Sequence, residues 1–502
     1  MKKYVYILSS ISLVLSSCSN LEEDVVGVLE AETLSNQEKV IGQINGAQNQ
    51  LQAFQNTDFM FVLQEHPSDE MAGPTRGADW DDGGAWRDLH LHTWNSSHPR
   101  VQGAWDQILG GLFFATDALS YEPTTEQFAQ ATFFRSFYIF MTTDLFGQVP
   151  VRQPGASFSE NPEVLKRTEA IALAISELEA VINDLPLVNT PGKPNRYSAA
   201  ALLAKMYLNK AVYLATDEDG TPQAGPFTFE NADMQKVVQY CDIVLGGPFT
   251  LQANYFDNFN PSNTSASTEA ILSSVNTNDN GGELRRMYFM TLHYNQKPSG
   301  WNGFVALTDL YNKFEATDPR LKSNLPYLNT NSGLTAGILQ GPQVNEFGAP
   351  VLNRAGSQLT FSQDFSLTNS DDQKGMRVIK YLPDYSNIDR PNNDFVIFRL
   401  ADVLLMKAEA MARMNQDPSA LLSQLRTVRG VAYTGAGLSD ILDERARELY
   451  WEGWRRQDQI RYSTFLGTWQ EKSTNSDRAK IIFPIPASAV STNPNLVQNP
   501  SY

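Results

Sequence analysis

The residues best suited to ligand chemistry lie between positions 69 and 105, where glycine and proline are interspersed with acidic side chains. Four of the eight tryptophans fall in this segment: Trp80, Trp86, Trp94 and Trp105. Tryptophan among glycine, aspartate and proline is typical of loops, where a flat ring with one polar edge can bind a ligand. The segment therefore predicts a binding surface. The alternative is that each ring packs onto the scaffold beneath, which we expect for Trp105.

Two patterns in the same segment could hold a metal ion. His90 and His92 alternate with Trp94 on a predicted strand, but no cysteine or third ligand follows at a suitable spacing. The second pattern is a run of aspartates before two glycines: Asp79, Asp81, Asp82, Gly83 and Gly84. It resembles the start of a calcium loop, yet His90 stands where the twelfth residue should be glutamate. We therefore predict neither metal ligands nor a cofactor and keep a structural calcium ion as the alternative.

The motifs and the net charge weigh against several classes of function. The sequence has no GxSxG, HExxH, CxxC or phosphate-loop motif, and no spacing marks any two of its 56 acidic residues as a glycosidase pair. A formal charge of -17 would repel a phosphate backbone, which excludes nucleic acid as a partner.

The first residues predict export and lipidation. Lys2 and Lys3 precede a short apolar run and then Leu15-Ser16-Ser17-Cys18, which resembles a bacterial lipobox. We interpret residues 1–17 as a signal peptide and 18–35 as a tether carrying acyl chains on Cys18, which would anchor the protein to a membrane. Cys241 then remains alone in an apolar helical stripe, which predicts a buried thiol.

Apolar residues recur at helical spacing over most of the chain. The predicted helices span 36–54, 101–119, 127–146, 166–185, 198–215 and 233–245, with two more around 400–411 and 438–453. Successive amphipathic helices with small residues on their contact faces are typical of tetratricopeptide-like repeats. The predicted fold is therefore mostly α, with a helical-repeat scaffold.

An irregular part separates these helices. Between 249 and 398 the composition shifts to asparagine, glycine, serine, threonine and proline with scattered aromatics, which favours ordered, functional loops with short strands. Residues 286–294 read as a strand with Tyr294 on the same face as Tyr288, and Trp301 follows Pro298-Ser299-Gly300 on a loop.

The C-terminal part carries the most specific motifs. Residues 441–462 read ILDERARELYWEGWRRQDQIRY, preceded by FRLADVLLMKAEAMARMN at 398–415 and followed by IIFPIPASAV at 481–490. Along one helix, Glu444 with Glu448, and Glu452 with Arg455 or Arg456, form a ladder of charges three or four residues apart. The three segments closely resemble the SusD/RagB family of Bacteroidetes outer-membrane lipoproteins. Further family-like landmarks are Ser68-Asp69-Glu70, the run from Gly300 to Phe304, and the run from Phe314 to Arg320.

The resemblance implies a binding function without catalysis. Such a protein would sit on the cell exterior, capture oligosaccharide or polysaccharide, and deliver it to a SusC-like TonB-dependent transporter. One unit would span 36–502: scaffold at about 36–60, 98–248 and 398–465, ligand-binding part at about 61–97 and 249–397, closing tail at 466–502. The alternatives are a peptide-binding relative and a surface glycoside hydrolase.

Within that interpretation the ligand would be held by stacking. Indole and phenol rings can lie against the apolar faces of sugar rings, while polar side chains bond to the hydroxyls. The predicted ring platforms are Trp86, Trp80, Trp301 and Tyr294. The predicted polar contacts are Asp69, Arg76, Asp81 and Asn302.

Overall fold

The helical scaffold of the computed structural model matches the predicted pattern. The structure describes residues 34–157, 159–279 and 283–502; the predicted signal peptide, Cys18 and nearly all of the tether lie outside them. The α-helices up to residue 245 are α1 Asn36–Asn49, α2 Met60–Glu65, α3 Ala85–Leu91, α4 Pro99–Ala118, α5 Thr125–Phe146, α6 Arg167–Val181, α7 Arg196–Leu214 and α8 Asn231–Leu245. The mostly α, repeat-like fold class is confirmed.

Local sequence explains where these helices begin and end. The side chains of Ser35, Thr124 and Asn195 each accept a backbone N–H of the first turn, as N-caps do. Helix α5 ends at Gly147, whose φ of 73° closes the last turn. The aromatic-rich α5 is buried along most of its length between α4 and α6. It forms the centre of the scaffold core.

The second half adds short elements around this scaffold. Its helices are α9 Asn263–Ala266, α10 Arg286–Phe289, α11 Thr308–Tyr311, α12 Pro326–Ser332, α13 Leu400–Arg413, α14 Ser419–Val428, α15 Leu438–Leu449, α16 Arg455–Arg461 and α17 Ala487–Thr492. Helix α13 packs on α8 and α15 and so joins the C-terminal helices to the N-terminal scaffold.

The strands are short and antiparallel. They are β1 Met71–Ala72, β2 Gln148–Val151, β3 Glu163–Lys166, β4 Ala270–Ser274, β5 Val305–Ala306, β6 Lys322–Ser323, β7 Ala336–Leu339, β8 Gly341–Pro342, β9 Thr360–Phe361, β10 Arg377–Ile379 and β11 Phe395–Arg399. The pair β1–β5 places Met71 opposite Ala306. The tryptophan-rich segment is therefore fixed against the loop that carries Trp301.

Two predicted strands are wrong. Residues 286–294 form the short helix α10 and a following turn, in which Leu292 N–H donates to Tyr288 O. Both faces of that segment are buried, so its apolar pattern could not distinguish strand from helix. His90 lies in α3, which begins after Gly83 and Gly84, both at positive φ. His92 caps that helix in the left-handed region with φ 59°.

The charged residues of the predicted ladder do not pair along one helix. The helix stops at Leu449, because Trp451 (φ 57°) and Gly453 (φ 83°) turn the chain before α16. Glu448 instead accepts hydrogen bonds from Arg320, Arg399 and Arg429 at 2.7–2.8 Å, all from other parts of the chain. We call the whole set the buried ion network: Glu269, Arg320, Lys380, Arg399, Arg426, Arg429, Glu444, Glu448 and Glu452. It ties α15 to the irregular half.

Two further observations concern the anchor and the lone thiol. Among the described residues, no helix is both long and apolar enough to cross a bilayer. Cys241 is buried in α8, and burial raises the pKa of its thiol. The prediction that Cys241 is a buried thiol is confirmed.

Candidate ligand-binding surface

Trp80 and Trp301 lie side by side although 221 residues separate them in sequence. The indole Nε1 of Trp80 donates a hydrogen bond to the carbonyl oxygen of Trp301 at 2.8 Å. A tight turn in which Arg76 and Asp79 exchange backbone hydrogen bonds (2.8 and 3.0 Å) brings Trp80 to the surface, with φ 64°. One segment thus fixes the ring of the other.

The loop that carries Trp301 is equally well defined. Trp301 N–H donates to Phe289 O at 2.6 Å, and its ring packs on Phe289 with centroids 5.5 Å apart while remaining 39% exposed. A Cβ on Gly300 would lie 2.1 Å from Leu292 O, so the chain can return this closely only with glycine there. The exposed indole of Trp301 is held by backbone contacts.

Tyr294 continues the aromatic surface and carries a guanidinium on its ring. The centre of the Arg354 guanidinium lies 3.9 Å from the Tyr294 ring centroid, a cation–π arrangement. Asp79 lies beside both groups, 3.4 Å from the Tyr294 hydroxyl and 3.8 Å from the Arg354 Nη1. We call Trp80, Trp301, Tyr294, Arg354 and Asp79 the aromatic face.

Asp81 is the predicted polar contact that remains exposed. Its carboxylate accepts a hydrogen bond from Arg87 at 2.6 Å, and that bond holds the pKa of Asp81 below its ordinary value. Arg87 also donates to Thr75 at 2.6 Å. Asp81 therefore lies at the rim of the aromatic face as half of an ion pair.

Trp86 lies directly beneath this face. It is 1% exposed, with the Arg100 guanidinium 4.5 Å from its ring centroid and the Phe304 ring 5.0 Å away. Its Nε1 donates to Asp82 at 2.5 Å. Since no ring face is open, Trp86 does not offer the stacking platform that the sequence suggested. It supports Trp80, whose ring centroid lies 6.1 Å away.

Three predicted polar contacts are likewise internal. Asp69 accepts two hydrogen bonds from Arg455 (2.6 and 2.8 Å); burial acts to raise the pKa of Asp69, but this guanidinium outweighs it and lowers that pKa. Arg76 donates to the backbone oxygens of Asp371, Gly303 and Lys374. Asn302, with φ 56°, donates to Asp372 O and accepts from Arg377 at 2.6 Å. These side chains hold the loops in place and do not face solvent.

No signal in the sequence marks Arg354 as a ligand contact. It lies in the irregular segment, where its Asn-Arg-Ala-Gly context marks only a turn. Asp79 was singled out for calcium and not for this role. Both residues join the aromatic face through tertiary contacts.

The candidate metal ligands have other partners. The His90 ring nitrogens contact the carbonyl oxygens of Gln470 (2.9 Å) and Met71 (3.4 Å), and His92 contacts Pro67 O at 2.9 Å. Burial lowers the pKa of His90 to about 4, so its ring is neutral at pH 7. In the part of the chain that the structure describes, no group of three or more His, Cys, Asp or Glu is placed to hold a metal.

Gly303 is the contact on which the position of Trp80 depends. A Cβ on Gly303 would lie 2.3 Å from the Trp80 ring. Gly303→Ala is therefore expected to displace the indole and break its hydrogen bond to Trp301. We expect the fluorescence of the variant to shift and any ligand affinity of this face to fall several-fold, while the fold is retained. Gly110→Ala is the control, since its Cβ meets only Gln50 at 3.7 Å. An unchanged affinity in Gly303→Ala would contradict a role for Trp80.

Known proteins resemble this chain along most of its length. A sequence model of the SusD family matches residues 268–502. The starch-binding protein SusD of Bacteroides thetaiotaomicron is 25% identical over 496 residues, covering 88% of this chain and 85% of that protein. The C-terminal part of this chain matches the SusD family, and the chain as a whole is similar to a member of it.

Solved structures show the same similarity in fold. A laminarin-binding SusD-like protein superposes with a TM-score of 0.69 at 21% identity, covering 93% of this chain and all of that one. A SusD superfamily protein from Parabacteroides distasonis gives a TM-score of 0.73 at 19% identity, again over 93% of this chain and all of that one. The SusD fold is therefore present over nearly the whole chain, and the family resemblance of the C-terminal motifs is confirmed.

Proposed function

We propose that this chain is a cell-surface lipoprotein that captures a neutral glycan on the aromatic face and delivers it to a SusC-like TonB-dependent transporter. One observation carries the proposal: two distant segments are joined so that the exposed ring of Trp301 lies near the half-buried rings of Trp80 and Tyr294. Exposed rings held by backbone contacts lose little side-chain freedom on binding, which favours ligand capture.

The charges of this face support a neutral ligand. Asp79 is close to Arg354, Asp81 is paired with Arg87, and the adjacent Lys297 is paired with Glu346 at 3.0 Å. An acidic glycan would have to break one of these pairs. The two relatives named for their ligands, starch and laminarin, take polymers of neutral sugar, which makes these the first ligands to test.

Stacking of this kind gives moderate affinity. Each ring contact is worth about 0.5–1.5 kcal/mol by analogy with aromatic pairs. Two or three such contacts with some hydrogen bonds, less the entropy of association, correspond to a Kd of roughly millimolar to micromolar. That range suits a protein that must release its ligand to a transporter.

The decisive variants are Trp301→Ala and Tyr294→Ala. Each is expected to weaken starch or laminarin binding about 2- to 10-fold, since one stack is lost. Affinity electrophoresis in gels containing each polysaccharide, with calorimetry on the soluble chain beginning after Cys18, measures this. Val188→Ala, in an exposed loop of the scaffold, is the matched control. Wild-type affinity in both ring variants, or no retardation of the wild-type protein by a panel of neutral polysaccharides, would overturn the proposal.

The alternatives predict different outcomes in the same assays. A peptide-binding relative would bind members of a peptide panel and no glycan. A glycoside hydrolase would release reducing ends from polysaccharide, whereas we propose binding without turnover, because the named relatives are binding proteins. Co-purification with a SusC-like barrel, lost when Cys18→Ala prevents acylation at the outer membrane, tests the partner and the anchor.

A further inference from the structure

Residues 341–361 form an arm that lies beside the aromatic face. The arm folds back twice, with backbone hydrogen bonds joining Val351 to Gln343 and Leu359 to Val351. Its first turn carries Phe347 and its second carries Arg354. The two turns are built alike: in each, an asparagine side chain (Asn345 or Asn353) accepts two backbone N–H groups at 3.0 Å, and a glycine with positive φ follows.

Phe347 is the most exposed of the large apolar side chains in the described residues, at 86% of its surface. Its turn is nevertheless firmly held. A Cβ on Gly333 would lie 2.3 Å from the backbone of Asn345, so the base of the turn rests directly on the end of α12. The Phe347 ring contributes almost nothing to the stability of the fold, because it buries almost no apolar surface.

Contacts along the arm connect Phe347 to the aromatic face. Arg354 lies on the Tyr294 ring, Asn295 Nδ2 donates to Leu352 O at 2.8 Å, and Lys297 pairs with Glu346 at 3.0 Å. The arm therefore runs beside the loop that leads to Trp301. The extended segment 348–353 separates the two turns by roughly 17 Å at about 3.3 Å per residue.

We propose that Phe347 is an outer contact that selects long glycan chains over short ones. A chain seated on Tyr294 and Trp301 that continues along the arm meets the Phe347 ring at its far end. A short oligosaccharide occupies the inner rings and does not reach it. This inference rests on the proposed function and adds to it that the preferred ligand is an extended polymer.

Phe347→Ala tests the proposal without disturbing the core, since the ring is exposed. Its affinity for laminarin or starch is expected to fall about 3- to 10-fold, and its affinity for laminaritriose or maltotriose to remain that of the wild type. Phe347→Tyr keeps an aromatic face and is expected to keep the long-chain affinity. Val188→Ala, exposed on the opposite half of the fold, controls for the loss of any surface apolar group.

The possible results separate this proposal from the previous one. If Trp301→Ala weakens both ligand lengths but Phe347→Ala weakens neither, the aromatic face binds glycan and the outer contact is overturned. An equal loss for trisaccharide and polymer in Phe347→Ala would also overturn it, because Phe347 would then be an inner contact. If no neutral polysaccharide of the panel binds the wild-type protein, the proposed function is overturned and the outer contact with it.

Discussion

Replacing Glu448 with glutamine is expected to lower the free energy of unfolding by about 3–5 kcal/mol, the range measured when one partner of a buried ion pair is removed. Glu448 is fully buried and accepts from three guanidinium groups. Glutamine keeps the size of the side chain but leaves Arg320, Arg399 and Arg429 short of one negative charge in the core. Equilibrium unfolding in urea at pH 7, followed by circular dichroism and tryptophan fluorescence, measures the change.

A surface pair provides the comparison for Glu448. Asp242 pairs with Lys407 at 2.5 Å but is half exposed, so Asp242→Asn is expected to cost less than about 1 kcal/mol. Similar losses in the two variants would contradict a structural role for the buried ion network.

The pH dependence of stability gives a second check on Glu448. Burial alone would raise the pKa of Glu448, but the three guanidiniums hold it well below its ordinary value, so the stabilisation by Glu448 is present at neutral pH and is lost in acid.

The wild-type protein is expected to lose stability as pH rises towards 7. The Glu65→Gln variant is expected not to show that loss. Glu65 and Glu70 are buried together; Gly453 N–H donates to Glu65 at 2.5 Å and Trp451 N–H donates to Glu70 at 3.2 Å. Burial raises the pKa of Glu65 to about 7, and burial with the neighbouring Glu65 raises that of Glu70 well above its ordinary value. Because the folded state binds these protons more tightly than the unfolded state, stability is greatest below the unfolded pKa and falls as pH rises towards 7.

The size of this effect follows from the pKa shift. A rise from 4.5 to about 7 in Glu65 corresponds to about 3 kcal/mol lost over that interval. The measurement is the difference in unfolding free energy between Glu65→Gln and the wild type from pH 4.5 to 8, in which titrating groups other than Glu65 and its neighbour Glu70 cancel. Glu218→Gln, on an exposed turn, should run parallel to the wild type. If the difference in unfolding free energy between Glu65→Gln and the wild type does not change with pH, burial does not raise the pKa of these carboxyl groups.

The scaffold could be predicted because its information is local. Helix α7 carries its apolar residues and its Asn195 cap within one stretch of sequence, and α5 carries its Thr124 cap and its Gly147 stop. The partners of Glu448 could not, since Arg429, Arg399 and Arg320 lie 19, 49 and 128 residues away and any of the chain's 39 basic residues was an equal candidate. Sequence spacing along one helix suggested neighbours that the break at Tyr450 removes.

The candidate binding surface also depends on contacts between distant residues, which sequence patterns do not reveal. Trp80 and Trp86 have similar neighbours in sequence, yet Trp80 is half-buried whereas Trp86 is fully covered by Phe304 and Arg100. Local composition identified the segment but could not say which ring faces outward. Asn302 was selected for the hydrogen-bonding ability of its amide, which the structure uses to hold Arg377 and Asp372 O instead. The position of Trp301 on an exposed loop was predictable because Pro298-Ser299-Gly300 precedes it.

The pairing of Asp69 with Arg455 has a consequence for the order of folding. These residues are 386 positions apart, and the strand next to Asp69 pairs with residues 305–306. Contacts of such long sequence separation form late, because the entropy of closing the loop must be overcome first. As the chain is synthesised, the N-terminal helices can assemble at once, whereas the segment around Trp80 must wait for α16. A chain truncated before Arg455 would leave the buried Asp69 carboxylate without its guanidinium partner, at the start of the segment that carries Trp80.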